Sequence, residues 1–184
     1  MTIEQINMCP QDEELLKLIS SEMSLLVPDT PPDDIDQYIN TIRALPRLFW
    51  AMGAIYELDV SITLDDLGWH FGNHYSLAFA DETLRALQEI GAQEEANIFQ
   101  DTIAIVKTYW TELGEVIASD EGKTFAEWYT SSGLDRELAG LNARMWAITI
   151  DQHRSLLDYL PQYARMYPAY AVVPKKSIAM QDNP

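Results

Sequence analysis

Apolar residues recur along most of this chain at the three- and four-residue spacing of a helix face, and Val-rich alternation is nearly absent. Leu15, Leu16, Leu18, Ile19, Met23 and Leu26 follow Asp12-Glu13-Glu14, acids that the helix dipole favours on a first turn. Pro28-Asp29-Thr30-Pro31-Pro32 breaks that helix, and Asp33-Asp34 opens a second through Ile35, Tyr38, Ile39 and Ile42. Pro46 starts another helical turn. The segment Leu48 to Tyr56 is apolar nearly all round, as a helix at the centre of a bundle would be. Asp59 to Ile62 reads as a short extended connector.

Thr63-Leu64-Asp65-Asp66 has the form of a helix N-terminus, as does Asp81-Glu82 for a helix from Thr83 to Ile90 that Gly91 closes. The longest unbroken pattern runs from Gln93 to Leu113 and ends at Gly114. Helices are predicted around Phe125 to Tyr129, from Asp135 to Ile148, and from Asp151 to Met166, the last kinked or restarted near Pro161. Together these elements predict an all-α fold, a single compact domain of about eight helices over residues 1–168. Residues 169–184 have no helical periodicity and are expected to form an extended or disordered tail.

At 184 residues, with 47% apolar and 10% aromatic side chains, the chain can fill one sizeable core. The aromatic residues, Trp50, Trp69, Trp110, Trp128 and Trp146 among them, sit beside aliphatic ones at helical spacing and read as core. Charge changes the picture more. Against 29 Asp and Glu stand 12 Lys and Arg, a formal net charge of -17, so direct nucleic-acid binding is disfavoured. Residues 1–130 carry 24 acids and 6 bases, whereas residues 131–184 carry 5 acids and 6 bases. A negative face of this kind attracts basic partners and repels phosphate and anionic lipid.

Cys9, placed before the first predicted helix, is the only cysteine, which excludes an internal disulfide and a CxxC pair. The first residues lack the basic and apolar regions of a signal peptide, and no stretch has the roughly 20 apolar residues of a membrane span. A cytoplasmic location without membrane attachment is therefore expected.

Candidate chemistry is sparse. His70 and His74 are four residues apart, one turn after Asp65 and Asp66, and form the one metal constellation the spacing suggests. It lacks the Glu of HExxH, and Gly68 and Gly72 make the segment a poor helix. His153 reads as an exposed helical residue. There is no GxSxG elbow or Gly-rich phosphate loop, and neither Asp33-Asp34-Ile35-Asp36 nor Ser119-Asp120-Glu121-Gly122 has the spacing of a calcium loop. No cofactor is expected.

The acids of the long helix are ordered. Glu94 and Glu112 lie 18 residues apart, five full turns, and Asp101 is about 20° from them, with Asn97 and Glu115 within about 60°. Phe99, Val106 and Trp110 fall on the other side. Glu82 and Glu89 of the preceding helix are placed to fill gaps in this stripe. Duplex DNA carries a charge every ~1.7 Å of axis, so acids from several helices would have to combine to imitate it.

The stretch Asp81 to Phe99, with Glu82-Thr83-Leu84-Arg85-Ala86-Leu87-Gln88-Glu89-Ile90-Gly91-Ala92 inside it, resembles a helical family of bacterial DNA-mimic proteins that share an ETL-x-AL-x-x-IGA run. Leu48 to Gly53 and the segment Leu134 to Trp146 fit the same pattern loosely, whereas Asp66 to His74 departs from that family's Asn-Gly-Gly-Phe-x-Gln run. The resemblance implies an acidic all-α protein, often a dimer, that inhibits a DNA-binding protein by occupying its DNA-binding surface. It brings no catalytic residues. The expected function is thus that of a non-enzymatic interaction protein whose acidic face, Glu82, Glu89, Glu94, Asp101, Glu112 and Glu115, meets a basic partner. The alternatives are an immunity-type inhibitor of a basic toxin or nuclease, and a metal-dependent enzyme built on His70 and His74.

Overall fold

A computed structural model describes residues 1–27, 34–119 and 124–173. The described residues form eleven α-helices, two short 3-10 turns and no strand, in one all-helical domain. The Pro28–Pro32 break, Asp33, the Asp120-Glu121-Gly122 cluster and the tail from residue 174 onward lie outside the described residues.

Helix α1 (Ile3–Met8) is an element the hydrophobic pattern does not predict. A reciprocal cap forms it: the Gln5 backbone N–H donates to Thr2 Oγ1, and the Thr2 backbone N–H donates to the Gln5 side chain. Cys9 therefore follows the first helix rather than preceding it. Helices α2 (Asp12–Leu26) and α3 (Ile35–Arg43) lie where the pattern puts them, and Asp34 caps α3 through the backbone N–H groups of Asp36 and Gln37. Helix α4 (Arg47–Leu64) runs through the centre, with Leu48, Phe49, Ala51, Met52, Ala54, Ile55, Leu58 and Ile62 all buried.

Asp59 to Ile62 is the last part of α4 and not an extended connector. Burial of Leu58 and Ile62 against the core outweighs the weak helix propensity of Val60 and Ile62. Helix α5 (Leu67–Asn73) forms despite its glycines, with Asp66 as its cap. Both glycines are there for close approach: a Cβ at Gly68 would overlap the Tyr129 ring, and one at Gly72 would overlap Phe125. Replacing Gly68 by alanine is expected to cost about 2 kcal/mol through overpacking, read from urea unfolding, and unchanged stability would show that Tyr129 has room to move.

Helix α6 (Leu77–Glu89) packs between α4 and α7 (Gln93–Thr108), and Gly91 at φ 82° makes the turn between α6 and α7. The long predicted helix does not run unbroken to Leu113. It breaks at Tyr109, next to Thr108, whose hydroxyl donates to the Ile105 carbonyl. Helix α8 (Trp110–Ala118) then passes through Gly114, whose missing side chain admits the Tyr75 hydroxyl.

Helices α9 (Phe125–Ser132) and α10 (Leu134–Thr149) meet at Gly133, φ 87°. The predicted Asp151–Met166 helix is shorter. A turn holding His153 at φ 51° leads to a 3-10 turn, Leu156–Asp158, and then to α11 (Tyr159–Met166), which has Pro161 in its first turn. His153 is exposed but not helical. Residues 168–171 form a second 3-10 turn with Ala171 buried, so the packed body continues beyond residue 168.

Candidate functional site

Helix α7 turns Ile98, Phe99, Thr102, Ile103 and Val106 into the core and leaves Glu94 and Asp101 exposed, as the predicted stripe requires. At 1.5 Å per residue these two acids stand roughly 10 Å apart along the helix. Beyond the break at Tyr109, α8 buries only Leu113 and exposes Glu112 and Glu115, which lie about one turn apart. None of the four forms an ion pair among the described residues. Because the helix breaks between them, the four acids belong to two helices and not to one continuous face.

Glu137 of α10 joins them. The Tyr109 hydroxyl donates to its carboxylate at 2.6 Å. That hydrogen bond, with slight desolvation and the charges of Glu137 and Glu112, pushes the Tyr109 hydroxyl above its ordinary value, and Arg136 acts in the opposite sense. Sequence spacing misses Glu137 because it is 28 residues from Tyr109 on another helix.

Glu82 and Glu89 do not fill the gaps. Glu82 is fully buried, accepting from Arg43 Nε at 2.7 Å, from Trp50 Nε1 at 2.9 Å and from Arg85. Burial raises its carboxyl, but the bonds from Arg43 and Trp50 and the charges of Arg85 and Arg43 outweigh this and hold it below the ordinary carboxylate value. Glu89 is half-buried and bonded to Arg47 at 3.0 Å and to the Tyr163 hydroxyl. The physical reason is the position of α6 against α4 and α3, which points both carboxylates toward arginines of the α3–α4 corner. Most of the Glu82–Ala92 motif is interior: Glu82, Thr83, Ala86, Leu87, Ile90 and Ala92 are buried, and the Thr83 hydroxyl donates to the Ala54 carbonyl at 2.8 Å. Six of the eleven residues of the motif thus belong to the interior.

A family model described as DMP19-like protein matches residues 43–166, about two-thirds of the chain. The chain belongs to the DMP19-like family. The DMP19-like span begins at the last residue of α3, ends with α11, and contains both the interior motif and the exposed acids of α7 and α8. No curated protein and no solved structure matches.

In this DMP19-like chain the histidine constellation forms only in part: the His70 and His74 rings lie 5.4 Å apart between centroids, but Asp65 and Asp66 do not join them. His70 is wholly buried against the rings of Phe71, Phe79 and Phe99, and among the described residues neither of its ring nitrogens makes a hydrogen bond of good geometry, the Glu57 backbone acting on it only weakly. His74 places Nε2 3.3 Å from Glu57 Oε2. Asp65 is exposed at the end of α4, and Asp66 is engaged by the backbone N–H groups of Gly68 and Trp69, the Tyr129 hydroxyl and the Asn142 amide. Among the described residues no three His, Cys, Asp or Glu side chains are grouped to hold a metal. No described helix is long and apolar enough to cross a membrane.

Proposed function

We propose that this protein is a non-enzymatic, acidic interaction protein. Its α7–α8 surface occupies the nucleic-acid-binding face of a basic partner and so inhibits it. The observation that carries this reading is the separation of charge: Arg43, Arg47 and Arg85 gather on Glu82 and Glu89, while Glu94, Asp101, Glu112 and Glu115 stand exposed without ion pairs among the described residues. Uncompensated carboxylates in water lose little on meeting lysine and arginine, and they steer a basic surface toward them. The family match supports a helical protein of this kind. Homodimerisation, which the sequence resemblance implies, would bring the acids of two copies into a longer array.

The test is affinity capture at low salt from a lysate of the protein's own cells, eluted separately with salt and with duplex DNA. A DNA-binding protein released by both is the expected result. The Glu94→Gln, Asp101→Asn, Glu112→Gln triple variant is expected to bind that protein roughly tenfold less tightly at low salt, since exposed charges contribute up to about 1 kcal/mol each. Binding that DNA does not displace, or that the triple variant retains in full, would overturn the reading.

A further inference from the structure

A pocket of about 300 Å³ opens between α2, α3 and α4 beside the 3-10 turn at residues 156–158. Its walls are largely apolar, formed by Met23, Tyr38, Met52, Tyr56 and Leu157, and among the described residues Glu57 is the one charged group lining it. The Tyr38 ring is fixed there, because its hydroxyl donates to the Gly53 carbonyl at 3.0 Å.

Glu57 is one of several buried or partly buried acids without a fixed counter-charge, with Asp59, Asp66 and Glu95, and it is the one that lines this pocket. Every other half-buried or buried carboxylate among the described residues accepts from an ammonium, a guanidinium, a backbone N–H or a tyrosine hydroxyl. Among the described residues Glu57 has only the His74 imidazole, at 3.3 Å and without a permanent charge. A carboxylate without a fixed counter-charge is open to a charge-assisted hydrogen bond from an incoming ammonium. Its negative field is felt within the pocket: burial and then the charge of Glu57 push the Tyr38 hydroxyl up to about 12. The two tyrosine rings and two methionines are surfaces that favour a cation and an adjoining apolar body.

We propose that this pocket binds a small organic amine, its ammonium on Glu57 and its hydrocarbon part among Tyr38, Tyr56, Met23 and Met52. The volume is at the small end for ligand sites and excludes a peptide or nucleotide. The assignment stands independently of the acidic surface of α7 and α8.

Calorimetric titration with 2-phenylethylamine, set against the uncharged 2-phenylethanol, tests it. The amine is expected to bind saturably at one site and the alcohol roughly tenfold or more weakly, as loss of a charged hydrogen bond requires. Glu57→Gln is expected to bring the amine down to the level of the alcohol. Ser24→Trp, at an exposed position on the pocket lining, keeps every charge but fills the space, and should abolish binding of both. Equal binding of amine and alcohol, amine binding that survives Ser24→Trp, or no saturable binding of the amine would each overturn the proposal. The second of these outcomes would show amines acting as general counter-ions to a chain of net charge -17.

Discussion

Glu82→Ala is expected to lower the stability of the fold by about 3 kcal/mol, a fall of roughly 6–12 °C in Tm for a chain of this size. Removing the carboxylate leaves the Trp50 indole N–H without its acceptor and sets Arg43 and Arg85 side by side with no charge between them. Both arginines are about half-exposed, so water recovers part of the loss and the cost stays at the low end for a buried ionic group. Urea unfolding followed by circular dichroism reads this, with Glu94→Ala as the contrast. That acid is exposed and unpaired among the described residues, and its removal should change stability by less than about 0.5 kcal/mol. If the two variants were equally stable, Glu82 would be an ordinary surface acid and the interior reading of its motif would fail.

The comparison of Glu82 with Glu94 also shows where sequence reasoning reaches and where it stops. Glu94 and Asp101 share a helix with the apolar residues that orient it, so spacing within α7 is enough to place them outside. Glu82 is set by Arg43, 39 residues earlier, and by Trp50, 32 residues earlier. No local periodicity carries that information. The same distinction governs the fold. Helices α2, α3, α10 and the centre of α4 follow from their own apolar faces and caps, and Gly91 was legible as a stop because only a left-handed turn explains it there.

Gly68, Gly72 and Gly114 carried the opposite lesson. Each reads locally as a helix breaker or terminator, yet each lies inside a helix because an aromatic side chain from elsewhere packs against its backbone. Tyr129 lies 61 residues beyond Gly68, and Tyr75 lies 39 residues before Gly114. The expectation that Gly114 ends a helix fails for this reason, and the expectation of one continuous stripe fails separately, at the break at Tyr109. Glu112 and Glu115 are exposed on α8 all the same, since that helix buries only Leu113.

The second large effect is expected from acid. The Glu82 carboxyl is held below its ordinary value of 4.5, so the unfolded chain takes up that proton first; this part of the stability is complete above 4.5 and lost as pH falls through the folded value. His70 acts at higher pH. Desolvation first, then the adjacent His74, pushes its imidazole from 6.5 down to about 3, with the Glu57 backbone acting weakly the other way. Below 6.5 the unfolded chain therefore binds a proton that the folded protein refuses, and stability falls by a little over 1 kcal/mol per pH unit until the pH nears the folded value. From about pH 7 to about pH 4 the loss from this one ring is roughly 3 kcal/mol. The window between 4.5 and 6.5 lies above the range of Glu82, and the difference from a variant without the imidazole separates His70 there from Asp59, whose carboxyl burial raises above 3.8. His70→Phe keeps an aromatic ring among Phe71, Phe79 and Phe99, removes two buried nitrogens that make no hydrogen bond of good geometry among the described residues, and cannot titrate. Urea unfolding of both proteins at intervals across that window should give a falling midpoint for the natural chain and a much flatter one for the variant. Parallel slopes would mean that the folded interior opens to protonate His70, and that its burial is less secure than the surrounding rings imply.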